Sequence, residues 1–195
     1  MSTTTAATKG YQISDPPLAQ KLFGNTRWAW IWVILRMYLG YTWLVSGWGK
    51  LGNPGWTQTG AILKGFWTNA VAIPTAPARP AITFDWYRAF IQSMLDAGSY
   101  TWFSKVVVAG ELLIGVALVL GAFTGIAAFF GGFMNWNFMM AGSASSNPLL
   151  FTIAIFLILA WKVAGWWGLD RFLLPAFGTP WQPGRVFKKG DESSV

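Results

Sequence analysis

The sequence predicts an all-α integral membrane protein: a four-helix bundle with two amphipathic helices in the extracytoplasmic segment between spans 1 and 2. Three observations carry that prediction. Of the 195 residues, 54% are hydrophobic and 11% charged, with a mean hydropathy of +0.42, whereas water-soluble domains carry about 25% charged residues. Four apolar stretches each have about the 17–25 residues that a membrane helix needs. Tryptophan occurs 14 times, and its ring favours the headgroup level of a bilayer.

Taken in order, residues 1–27 are polar and rich in Thr and Ala, and are expected to form a loose cytoplasmic tail. They lack the charged-then-apolar start of a signal peptide, so the first span, 28–51, is expected to be an uncleaved anchor. The second span covers 103–122, the third 124–141 and the fourth 148–167. "GAFTG" at 121–125 and "GSASSNP" at 142–148 read as tight hairpins. Asn147 is placed to cap the fourth helix, with Pro148 at its first position and Gly168 at its end.

In the outer segment 52–102, Ile62, Leu63, Phe66, Trp67 and Ala70 recur at helical spacing. So do Trp86, Tyr87, Phe90, Ile91, Met94 and Leu95, with Asp85, Arg88, Gln92 and Asp96 on the opposite face. Two amphipathic helices follow, lying on the outer membrane surface or capping the bundle. "PTAPARP" at 74–80 is the stiff spacer between them. The domain organisation is therefore a tail (1–27), a four-span domain (28–175) and a second tail (176–195). Four spans put both termini on one side. Lys21, Arg27, Arg171, Arg185, Lys188 and Lys189 flank the spans and assign that side to the cytoplasm of a multi-pass cell-membrane protein.

The chain contains no Cys and no His. That excludes thiolate-held iron–sulfur clusters, His-ligated or covalently attached haem, and the usual zinc sites. A redox role would use an organic carrier or a cofactor on a partner subunit. The net charge of +7 belongs to the flanks of the spans, and no clustered basic segment on a soluble fold suggests nucleic acid.

An arginine inside a span costs roughly 2.5–3.5 kcal/mol unless something meets it. Arg36 lies ~12 Å along the helix from Trp28, and Glu111 a similar ~12 Å from Phe103. In a hydrocarbon core of ~30 Å their depths then differ by only ~6 Å, so an Arg36–Glu111 pair is expected. Asn135, ~16 Å from Thr124, is expected to complete its hydrogen bonds. Gly40, Trp43, Gly47 and Lys50 continue the face that holds Arg36. Such a cluster either pins the helices in register or forms a ligand site. Lys162, near the inner end of the fourth span, is expected to snorkel. "SASSNP" reads as a helix cap before an anion site, and the Trp-rich ends as interfacial belts.

"LRMYLGYTWLVSGWGKL", "GELLIGVALVLGAFTGIAAFFGGFMNWNFMMAGSASSNP" and "GLDRFLLP" resemble the DoxX/DoxD family of small four-helix membrane proteins. "LKGFW" and "WYRAFIQ" extend the likeness, which runs from Arg27 to Pro175. The DoxD branch is the small-subunit type of thiosulfate:quinone oxidoreductase, and other members are accessory proteins of membrane redox complexes or have no assigned activity. The resemblance carries the family's intramembrane arginine onto Arg36, its lysine onto Lys50, its glutamate onto Glu111 and its MNxNFMxAG stretch onto Met134 to Gly142.

On that reading quinone is the expected cofactor, a flat ring with two carbonyl acceptors. Arg36 or Asn135 would donate to it, Trp43 and Trp136 would wall it, and Glu111 would carry a proton. Thiosulfate, a dianion, would favour Lys50 and Arg88. No companion soluble domain is fused, so a partner redox subunit is expected beside the lipid bilayer. A quinone-linked enzyme subunit, a non-catalytic subunit of a respiratory or photosynthetic complex, and a small transporter all stay open.

Overall fold

The computed structural model describes residues 14–179 and 182–187. The chain is helical almost throughout, in the order α1 (Pro17–Gly24), a single 3-10 turn (Thr26–Trp28), α2 (Ala29–Leu51), α3 (Pro54–Thr57), α4 (Ala61–Val71) and α5 (Asp85–Asp96). There follow α6 (Tyr100–Leu120), α7 (Thr124–Met140), α8 (Asn147–Leu159), α9 (Trp161–Ala164) and α10 (Asp170–Phe177). Two short strands, β1 (Gly178–Thr179) and β2 (Gln182–Pro183), pair antiparallel, with Gly178 opposite Pro183.

Helix α2 lies along α6 and α7 along α8, while α6 touches α7 and α2 touches α8, so the four close into a ring. Its centre is an apolar core that includes Trp32, Leu39, Trp43, Leu118, Ala154 and Leu157. Over one end, α4 and α5 pair with each other and α4 with α6. A second core forms there from Leu63, Trp67, Ala70, Ile82, Tyr87, Ile91 and Ala141. Among the described residues, α6 is the one helix long and apolar enough to cross a membrane by length and composition alone, and α8 is a shorter apolar helix.

Glycines set the register of α2 against α6. A Cβ on Gly40 would stand 3.0 Å from the Leu118 Cβ, on Gly47 2.9 Å from the Leu112 side chain, and on Gly115 2.7 Å from that of Leu44. Missing side chains at these crossings let the two backbones approach closely. Residues 40, 44 and 47 thus face 118, 115 and 112. This places Arg36 beside the last turn of α6 and Lys50 beside Glu111.

Most large side chains outside the ring are apolar, and several polar ones are buried beside the apolar core. Tyr41, Trp48, Leu113, Ile126, Phe129 and Leu159 are exposed, while Arg36, Ser104, Glu111, Thr124, Asn135 and Asp170 are buried. So much exposed apolar surface is unusual for a protein dissolved in water.

Three expectations need correction here. The segment before the first long helix is not wholly loose, because α1 docks against α9. The Trp32 indole N–H donates to the Leu22 carbonyl at 2.8 Å, and Phe23 stacks on Trp32 at 5.3 Å; residues 1–13 lie outside the described part. The fourth long helix stops at Leu159 rather than near Gly168, and a turn at Ala160 separates it from the single-turn α9. Asn147 does not cap α8: Ser146 holds the cap position, and the Asn147 amide donates to the Ser143 carbonyl at 2.9 Å. The remaining boundaries fall close to expectation, including the two helices of the outer segment.

Candidate functional site

The expected Arg36–Glu111 pair does not form. The Arg36 guanidinium instead donates through Nη1 to the carbonyls of Leu118 (2.5 Å) and Val119 (2.9 Å), and through Nη2 to that of Trp167 (3.4 Å). The last carbonyls of a helix have no partner within it and carry its negative dipole end. Arg36 therefore caps α6. Depths counted from Trp28 and Phe103 would make α2 and α6 end flush, but the glycine crossings stagger them. Arg36 precedes Gly47 by about 16 Å of helix axis at 1.5 Å per residue, and Gly47 is the residue level with Leu112.

Asp170 completes this end of the bundle, and sequence reasoning missed it. Its carboxylate accepts from the backbone N–H of Phe123 (2.5 Å) and of Thr124 (2.9 Å). It supplies the N-terminal cap that α7 lacks locally, since Phe123 at the cap position has no side-chain acceptor. Asp170 also lies near enough to Arg36 to interact with it electrostatically. One signal was available in the sequence: an acid in "GLDRF" beyond the fourth span, and a helix start at Thr124 with no capping residue before it.

Glu111 is held by Lys50. Lys50 Nζ lies 2.7 Å from Oε2 and 2.9 Å from Oε1, and also donates to the Ser46 hydroxyl at 2.6 Å. Glu111 is 1% exposed and the Lys50 side chain 20%, and the ammonium stands over the Trp56 ring at 5.3 Å. This pair forms part of the wall of a cavity of about 350 Å³ between α2, α3, α4, α6, α7 and the 143–147 loop. Trp43, Ser46, Asn135, Phe138 and Ser146 line it too.

Asn135 is fully buried, and neither its amide nitrogen nor its oxygen has a hydrogen-bond partner among the described residues; the Trp43 indole N–H is also unpartnered. Gly131 makes room for that indole, since a Cβ there would stand 3.0 Å from its nitrogen. Buried polar groups are nearly always satisfied, so two such side chains on one cavity wall ask for a ligand or ordered water.

Thus Lys50, Glu111, Asn135 and Trp43 converge on one cavity, and Arg36, Trp136 and Arg88 do not. Trp136, one residue and about 100° around the helix from Asn135, stacks on Phe133 at 6.1 Å and meets Tyr87 edge-on at 6.2 Å. It faces an apolar groove of about 690 Å³ between α5, α6 and α7. Arg88 pairs with Asp85 at 2.6 Å and donates to the Ile82 carbonyl at 2.5 Å. Trp43 and Trp136 therefore do not wall the same space, and Lys50 and Arg88 do not share an anion. Nearby, Tyr87 donates to Asn137 at 3.1 Å, and burial pushes its hydroxyl up to about 12.

What the cavity offers chemically is a set of donors (Trp43 N–H, Asn135 N–H₂, Ser hydroxyls), one amide acceptor and an ammonium–carboxylate pair, all close to an aromatic surface. No curated protein and no solved structure matches the chain. The sequence model of DoxX, a membrane-associated family, matches residues 31–142, from the first turns of α2 to the end of α7. That match covers more than half of the chain, takes in all four residues that converge on the cavity, and shows that this protein belongs to the DoxX family.

Proposed function

We propose that the chain is a four-span membrane protein of the cell membrane, with both termini cytoplasmic, and that it serves a redox complex by binding a quinone headgroup in the cavity of Lys50, Glu111, Asn135 and Trp43. The exposed apolar faces of α2, α6, α7 and α8 support the four-span arrangement. At 1.5 Å per residue, α2 and α6 are ~35 and ~32 Å long, a match to a bilayer core of ~30 Å.

One observation carries the ligand reading: the buried Asn135 amide, without partner at either end, on the wall of a cavity large enough for a ring. An amide suits a ligand that changes protonation. Its N–H₂ donates to a carbonyl, and its oxygen accepts from the hydroxyl that replaces that carbonyl on reduction. The indole N–H of Trp43 is a second donor. Quinone would supply the electron acceptor, and the chain's own part is to orient it and to hold a proton at the Glu111 carboxylate, kept in place by Lys50. Lys50 is the cation facing this cavity, and Glu111 neutralises it. A dianion such as thiosulfate is therefore expected to react on a companion subunit.

The test is a titration of purified protein in nanodiscs with a benzoquinone, read by Trp fluorescence, beside a melting curve. Asn135→Leu is expected to weaken binding about 5- to 30-fold, the equivalent of an intramembrane hydrogen bond of ~1–2 kcal/mol, with melting unchanged. Unchanged binding with a lowered melting point would instead support an accessory, non-catalytic subunit.

A further inference from the structure

We infer that the ligand of the polar cavity carries a long apolar tail, and that the tail leaves through a neck beside Phe138 to lie in the groove between α5, α6 and α7. This rests on the quinone reading above and narrows it to lipid-tailed quinones.

Three spaces share walls. The polar cavity and a small void of about 70 Å³ beneath α4 and α5 have Phe66 and Phe138 in common. That void and the apolar groove have Tyr87, Phe90, Phe103, Val107, Asn137 and Phe138 in common. Phe138 therefore borders all three.

The polarity changes along this line. The cavity at one end holds the Lys50–Glu111 pair and the unpartnered Asn135. The groove at the other is walled by Trp86, Phe130, Phe133 and Trp136, and its Tyr87 hydroxyl is already bonded to Asn137. The groove's wall is mostly aromatic and aliphatic and carries no charged side chain, so it suits hydrocarbon. The void is about half the ~150 Å³ in which an engineered cavity holds benzene, which suits a chain and not a ring. A bilayer lipid resting in the groove would keep its headgroup at the membrane surface. A chain that passed Phe138 from the groove toward the cavity would belong to the molecule whose head is in the cavity.

Two variants narrow the groove without touching the polar cavity. Gly110 lies on its wall, and a Cβ there would meet only the flexible end of Met134, at 3.3 Å from its sulfur. Leu113 sits on its rim with 70% exposure. The full chain, Gly110→Leu and Leu113→Trp, each in nanodiscs of one lipid composition, are titrated with dimethoxy-methyl-benzoquinone and with its decyl-substituted counterpart. The decyl compound should bind wild type at least tenfold more tightly. At least one folded variant should lose most of that advantage while keeping its affinity for the tail-less ring. Partition into the lipid is the same for all three proteins and cancels in the comparison. An unchanged decyl advantage in both variants would overturn the tail placement alone. Failure of wild type to bind either compound would overturn the quinone reading, and the tail with it.

Discussion

Replacing Lys50 by Met strands a carboxylate. Lys50 Nζ donates to both Glu111 oxygens, at 2.7 and 2.9 Å, and to Ser46 Oγ at 2.6 Å. All three of its protons are thereby used. Glu111, 1% exposed, is left without its cation. Removing one partner of a buried pair typically costs ~3–5 kcal/mol, while replacing both by apolar groups is close to neutral. Lys50→Met is therefore expected to cost ~3–5 kcal/mol. Glu111→Leu should cost less, ~1–3 kcal/mol, because the 20%-exposed ammonium can turn outward and keeps the Trp56 ring beneath it. The double variant should lie near wild type, which makes the coupling at least ~4 kcal/mol. Arg36→Met combined with Glu111→Leu should instead add, since about 16 Å of helix separates the two levels. Reversible unfolding in mixed micelles, followed by far-UV circular dichroism, measures wild type, the three single variants and the two double variants. Additive losses for Lys50 and Glu111 would refute the pair, and strong coupling of Arg36 to Glu111 would refute the staggered register.

At the opposite end, Asp170→Asn should weaken the cap of α7 by ~1–2 kcal/mol. Gly121→Ala should cost ~1–2 kcal/mol or more, because φ is +67° and the new Cβ would press on Arg36 Nη1; equal melting temperatures for these and wild type would count against the double cap. Burial raises the Tyr87 hydroxyl from 10.0 to about 12, so between those pH values the folded chain keeps a proton that the unfolded chain releases. Stability should therefore fall as pH rises through that window, by up to ~2–3 kcal/mol. An identical alkaline slope in Tyr87→Phe would show that other groups cause it. Cysteines placed at Asp15 and Ala76, in a chain that has none of its own, should react with an impermeant maleimide from opposite sides of the membrane; labelling from one side would refute the four-span arrangement.

Helix positions, and the lengths of all the long helices but the fourth, were legible in the sequence because they depend on local composition. Apolar runs, helical periodicity in 61–71 and 85–96, and turn residues at 121–125 and 142–148 are short-range signals, and the helices fall close to where these place them. The demand for polar partners was legible as well. Arg36, Lys50, Glu111 and Asn135 stand among apolar residues in the sequence, each demanding a partner. The partners themselves were not. Which cation meets Glu111 depends on how far α2 slides along α6, and that slide is set by three glycine crossings at Gly40, Gly47 and Gly115. A shift of a few residues moves a charge by one or two helical turns, so depth counted from helix ends could not choose between Arg36 and Lys50. Asp170 was hidden for a related reason: the N-terminus it caps is 46 residues away in sequence and adjacent only after α8, α9 and the following turn have folded back. Composition and periodicity determine which segments are helices and which side chains must be satisfied; close packing between helices decides which of them meet.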